Sequence, residues 1–185
     1  MKLSDSALSS LSSSLLSVEC RVRLLSFELT SLTMVSPSAL LRFLSEVSPS
    51  DVVFRMIRGC TPEHFGPQMC RFLSSRRYFS VSELVDDHAK DVPLSMDDAI
   101  LGQLTSSVFH IGTPNYITSD GLRSFIKSIS SGNLDVVAGR IHTSFAVDED
   151  TLREAAGDVR LIEDQRIIDI STDSRKMLPP VATTA

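Results

Sequence analysis

Tryptophan is absent from this 185-residue chain, lysine occurs only at Lys2, Lys90, Lys127 and Lys176, and cysteine only at Cys20, Cys60 and Cys70. Each scarcity narrows the reading. Three cysteines, an odd number at no framework spacing, argue against a disulfide-stapled fold and read as reduced thiols in an intracellular, cytoplasmic setting. No apolar run approaches the roughly 20 residues a membrane span needs, so no membrane partner is expected. Behind Lys2, serines interrupt every apolar stretch, which argues against a secretory signal. There is no Gly-x-Ser-x-Gly, no Cys-Gly signature and no Gly-x-x-x-x-Gly-Lys phosphate loop, so no motif points to catalysis. Arginine carries most of the positive charge, and it suits partly buried contacts better than lysine does.

What is present points to association. Leu8, Leu11, Leu15, Val18, Val22, Leu25, Leu29 and Leu32 follow at alternating spacings of 3 and 4, an a/d seam. A helix with so narrow an apolar stripe needs a partner helix to bury it. This predicts one long N-terminal amphipathic helix from about residue 4 to Met34, with the eight seam residues as an oligomer interface. Against a free-standing coiled coil, the flanking e and g positions are mainly Ser and Thr. Leu16, Leu24 and Phe27 also widen the apolar surface, as in a bundle helix packed on its own domain.

Beyond the seam, Ser36-Pro37 reads as a helix start, with Ser as N-cap and Pro at the first helical position. Val35-Ser-Pro-Ser and Val47-Ser-Pro-Ser look like two copies of one short helical unit, the second closed by Gly59. Thr61-Pro62-Glu63 opens another, broken by Gly66-Pro67, and a further piece covers about 68–75. Helices are then expected at about 82–89, after Ser95, at 119–131 up to Gly132, at 134–142, and from Asp148 to Gly157. Val108–Ile111 with Tyr116-Ile117, and Val159–Ile170, read as two hairpins.

The expected class is α+β and predominantly α-helical: a long N-terminal helix, an array of short helices, then helix-plus-hairpin units. The boundaries are 1–80 for a helical interaction region, 81–171 for the helix-plus-hairpin region, and 172–185 for a flexible arm. Two winged-helix-like units, about 68–118 and 119–171, are one arrangement of the second region. A single irregular helical domain with small β additions is the other.

Residues that could carry chemistry are few. Cys60-x3-His64-x5-Cys70 lacks the second close pair that a tetrahedral zinc site uses, so no metal and no other cofactor are expected. Asp86-Asp87, Asp97-Asp98 and Asp148-Glu149-Asp150 lie near expected helix ends, where the dipole accounts for them. His64, His88, His110 and His142 are scattered. Arg55, Arg58, Arg71, Arg76 and Arg77 form the one basic segment, interleaved with Phe54, Phe65, Phe72, Tyr78 and Phe79, a composition that suits single-stranded nucleic acid. The alternative is a helix pair burying its phenylalanines.

Net charge divides unevenly, +3 over residues 1–80 and −8 over 81–185, for −5 in all. The leading expectation is therefore a non-enzymatic, self-associating assembly or adaptor protein, its acidic C-terminal half facing another protein or a neighbour's basic half. A nucleic-acid-binding regulator using the arginine segment is the rival, and a small viral structural or accessory protein is a further alternative.

Overall fold

The computed structural model describes residues 3–18, 21–146, 149–156, 160–164 and 167–172. Its spine is a seven-stranded sheet in the order β1-β2-β3-β5-β7-β9-β8. The strands are β1 (Leu24–Glu28), β2 (Asp51–Ile57), β3 (Tyr78–Leu84), β5 (Val108–Gly112), β7 (Ala138–His142), β8 (Arg160–Asp164) and β9 (Ile167–Ser171). The first five run parallel, and β9 and β8 close the far end as an antiparallel hairpin. Two short segments, β4 (Leu94–Asp97) and β6 (Asn115–Tyr116), pair with each other in parallel.

Each parallel step carries helical structure. The helices are α1 (Asp5–Ser17), α2 (Pro37–Val47), α3 (Pro67–Ser74) after a 3-10 turn at Pro62–Phe65, α4 (Asp98–Leu101), α5 (Ser119–Ser130) and α6 (Glu149–Ala156). Because successive strands are added in one direction, crossovers of constant hand put α2, α3, α4 and α5 on the same face of the sheet, and α1 and α6 pack against α2 and α5. That face is the core. Phe27, Phe54, Val81, Ile111, Ile141 and Ile168 line up across six strands, all 7% exposed or less. Phe27 stacks on Phe54 at 4.9 Å, and the ring of Phe65 meets Phe54 edge-on at 5.1 Å. The Phe109 ring occupies the space that a Cβ would need at Gly139.

Local chemistry explains the helices. Ser36 caps α2 by accepting from the Ala39 N–H at 3.3 Å, Pro37 is pre-set for the first turn, and Leu40, Phe43 and Leu44 form one buried face. Asp5 accepts from the Ser36 N–H at 2.7 Å and its hydroxyl at 2.8 Å, tying α1 to α2. In α5, Thr118 is the cap, Leu122, Phe125, Ile126 and Ile129 face inward, and Gly132 takes the left-handed φ of +76° that ends the helix.

The protein is thus α/β rather than predominantly α-helical α+β, a correction with identifiable causes. The long N-terminal helix is not continuous: α1 stops at Ser17, and Leu24–Glu28 is extended and paired with β2. The seam is accordingly split. Leu8 and Leu32 are buried, Leu15, Val22 and Leu25 half-buried, and Leu11, Val18 and Leu29 exposed. The second Ser-Pro-Ser unit is β2, because Val52, Val53 and Phe54 gain strand neighbours on both sides.

Segments 82–89 and 134–142 are not helical either: residues 82–84 end β3 and a turn follows, and 138–142 form β7. The first hairpin dissolves, since Val108–Ile111 joins the main sheet and Tyr116 pairs with β4. Without that ribbon 68–118 is not a winged-helix-like unit, and 119–171 is not one because its hairpin is joined to β7 as part of the main sheet. The second hairpin is present as β8 and β9. The division at residue 80 falls inside β3, whose two sides pair with β2 and β5. Cys20, Asp148, Gly157 and residues 173–185 of the C-terminal arm lie outside the described residues.

Candidate functional site: the second face and the free edge of the sheet

Strand alternation turns every second side chain away from the helices. Ser26, Val53, Ser80, His110, Arg140 and Asp169 lie side by side on this second face. One step beyond, the row reads Glu28, Arg55, Ser82 and Gly112, and the pairing of Ile111 with Ile141 sets His142 next to Gly112. The polar groups of this face largely bond to one another. Arg140 donates to Asp169 at 2.5 and 2.8 Å, Ser26 donates to Glu28 at 3.0 Å, and Arg77 makes a two-pronged contact with buried Asp51. The Ser80 hydroxyl lies 3.1 Å from His110 Nδ1.

The histidines give the face its electrostatic character. The His110 ring extends along its own strand over Gly112, where an added Cβ would sit 2.8 Å from Nε2. His142 packs edge-on against it with ring centres 5.7 Å apart. Burial, then the neighbouring His142, Arg140 and Arg55, push His110 down to about 4, with Asp169 opposing. His142 is also lowered, chiefly by burial and then by Arg140. Both rings are therefore neutral near pH 7. His110 Nε2 is buried and, among the described residues, has no hydrogen-bond partner. Among the described residues the Ser80–His110 pair has no third group to orient the ring for proton transfer, since the Asp169 carboxylate is held by Arg140.

The sequence-predicted arginines do not form one surface. Arg55 is exposed on the second face of β2, Arg58 follows that strand, and Arg71 is exposed on α3. Arg76 lies over the Phe72 ring at 4.4 Å and donates to the Pro49 carbonyl at 3.2 Å, while Arg77 is held by Asp51. Phe54, Phe65 and Phe79 are fully buried in the core, so their faces are not offered for base stacking.

Cys60 and Cys70 are buried thiols, each pushed up to about 12 mainly by that burial, which keeps them protonated and unreactive. His64 Nδ1 accepts from the Thr61 N–H at 3.0 Å, and its Nε2 donates to the Val35 carbonyl at 2.7 Å, leaving neither nitrogen for a metal. No group of three His, Cys, Asp or Glu among the described residues is placed to hold a metal ion. An open groove of about 660 Å³ runs between the starts of α2 and α3, with His64 in its wall and Glu63 and Arg71 among its lining residues.

The two edges of the sheet differ. At one, β8 carries Arg160, Glu163 and Asp164 within five residues. At the other, β1 has a single charge, no proline and no lysine, the features that natural proteins use to blunt an edge. Six of the eight large apolar residues exposed in the described structure fall between Leu11 and Met34: Leu11, Leu16, Val18, Leu24, Leu29 and Met34. No helix among the described residues is long and apolar enough to cross a membrane. No known family model, curated protein or solved structure matches this chain.

Sequence reasoning missed the second-face row. His110 and His142 are far apart in the chain and meet only through β5–β7 pairing. The signal available was the recurrence of Leu25-x-Phe27, Val52-x-Phe54 and Phe79-x-Val81 at steps of 27 residues. That is the mark of a stacked strand-and-helix unit.

Proposed function

We propose that this chain is a non-enzymatic assembly or adaptor protein that works through protein contacts, one of them with a second copy of itself at the β1 end of the sheet. The observation that carries the reading is the unprotected edge strand β1 beside side chains as exposed as Leu24 at 57%, Leu29 at 67% and Val18 at 69%. A stack of similar units buries its core between neighbours, and its terminal unit stays soluble alone only with a polar outer surface. Here the terminal unit is apolar, and an open edge invites another strand. The two halves of the chain carry opposite net charge, −8 over residues 81–185 and +3 over residues 1–80, which favours a neighbour's C-terminal half approaching the half that contains β1. The eight residues of the seam then contribute unequally: Leu11, Val18 and Leu29 at the contact, Leu8 and Leu32 within the subunit's own core.

Sedimentation velocity tests this. The wild-type chain should sediment as an oligomer at tens of micromolar, a range typical of modest interfaces. Replacing Leu24→Lys and Leu29→Lys together should return it to the monomer with an unchanged circular dichroism spectrum. A wild-type monomer up to about 100 micromolar, where contacts of this size are populated, would overturn the reading.

A further inference from the structure

Self-association at β1 leaves open which strand of the second copy arrives there. Resting on that reading, we infer that it is β8, so that copies join head to tail, edge to opposite edge, in one open-ended sheet.

Strand direction is the first ground. β9 runs antiparallel to β7, and β8 antiparallel to β9, so the hairpin turns the far edge back to the direction of β1. A neighbour's β1 laid along β8 with its helices on the same face is then parallel to it, the relation β1 already has to β2.

Free backbone groups are the second ground. The Leu29 N–H donates to Arg55 and the Arg23 carbonyl accepts from Asp51, so alternation turns the N–H and C=O of Leu24, Ser26 and Glu28 away from β2. In β9 the Thr172 N–H donates to the Val137 carbonyl, which sets the backbones of Ile168 and Ile170 toward β7. The same alternation commits Arg160, Ile162 and Asp164 to β9 and leaves the backbones of Leu161 and Glu163 facing outward. Each edge therefore offers a row of donors and acceptors on a strand of five residues.

Charge decides between the two edges of the neighbour. A two-fold β1–β1 contact would set the two +3 halves together, whereas β8 against β1 sets −8 against +3. Within the strands, Arg160, Glu163 and Asp164 sum to −1, and Arg23 with Glu28 to zero. The charges that keep β8 from indiscriminate pairing thus do not repel β1.

The two edges are different surfaces, so the contact is heterologous and does not end at a dimer. Seven strands at about 4.8 Å each advance successive copies by about 34 Å, and a twist of roughly 20–25° per strand winds the stack into a fibre.

Two proline variants of the full chain test the pairing. Ser26→Pro blocks β1 and Glu163→Pro blocks β8, each removing one outward N–H and sparing the bonds to the inner neighbour. In sedimentation velocity the wild type should grow without a plateau from about 10 to 100 micromolar, the range of modest interfaces. Each variant alone should stay a monomer, because the edge it keeps has no partner left. An equimolar mixture should form a two-chain complex and nothing larger, one variant supplying β8 and the other β1. Circular dichroism checks that both variants fold. Independently of them, electron micrographs of the wild type should show fibres with a subunit repeat of about 34 Å, and these decide alone if a variant unfolds. A wild-type monomer would overturn self-association and this inference together. A wild type that stops at the dimer, with Glu163→Pro dimerising on its own, would keep the β1 contact and overturn its pairing with β8. A mixture of folded variants that stays monomeric while the wild type associates, or discrete two-chain particles in the micrographs, would do the same.

Discussion

His110 shows how one buried ring can set the acid sensitivity of the molecule. Its native value near 4 lies below the ordinary 6.5, so the neutral form is the one that fits the folded chain. Above about pH 7, folded and unfolded chains both hold it neutral, and it adds no pH dependence. As pH falls through 6.5 the unfolded chain takes up a proton that the native site refuses until about 4, so stability declines across that window. The full difference is worth about 3 kcal/mol, from the usual 1.4 kcal/mol per unit. His142, lowered for the same reason, adds to the decline. Asp5 and Asp86 are lowered by backbone hydrogen bonds and Glu63 by the Thr61 side chain, so their losses come as pH falls through the ordinary carboxylate range, at and below the bottom of the histidine window. Urea midpoints measured from pH 7.5 to 4.5 should fall steadily for the wild type. They should fall less for His110→Gln, whose amide does not titrate in this range. An identical slope in the variant would mean that the acid response lies elsewhere.

At the scale of elements, the junction of α4 and α5 offers a test of how the helix starts are held. Asp98 accepts from the Thr118 N–H at 2.8 Å and its hydroxyl at 2.6 Å, and its carboxylate sits where a Cβ on Gly121 would fall. Gly121→Ala should therefore cost about 1–3 kcal/mol despite the better helix propensity of alanine. Asp98→Ala loses the two hydrogen bonds that hold the cap residue Thr118, about 1–2 kcal/mol. The double variant should cost clearly less than the two added together, because removing the carboxylate makes room for the methyl group. Strict additivity in thermal melts would refute the steric account.

The same contrast between local and distant causes explains what could be read from the chain. The starts of α2 and the 3-10 turn were legible because Ser36-Pro37 and Thr61-Pro62 act on their own next three residues, whereas α3 and α5 were legible in extent, at about 68–75 and 119–131, but not in their caps, Gly66 and Thr118. The parallel strands were not. Val52-Val53-Phe54 and Ala138 to Ile141 are short segments that periodicity cannot assign, and what makes them strands is pairing with segments some 27 to 30 residues away. Leu25 and Leu29 fit a heptad and also fit a strand followed by a turn, so the seam spacing was ambiguous where it mattered most. The second-face row was hidden for the same reason, each member being contributed by a different strand.

For the whole molecule, a sheet built by stacking similar units has graded stability, since interior strands are held on two sides and end strands on one. β3 lies between β2 and β5 with Phe79 and Val81 fully buried, whereas β1 pairs, among the described residues, with β2 alone. Native-state hydrogen exchange should find β3 and β5 amides exchanging only through global unfolding, with β1 opening first. Concentration then separates a lone stack from an assembled one. If copies meet at β1, raising the protein from about 1 to 100 micromolar, across the range of modest interfaces, should slow exchange at Leu24–Glu28 and leave β3 unchanged. The charged edge strand β8 should gain protection only where the neighbour's acidic end meets the β1 end. Slowing confined to the β8–β9 hairpin would move the contact to the other edge, and the exposed leucines of the first unit would then have no part in assembly.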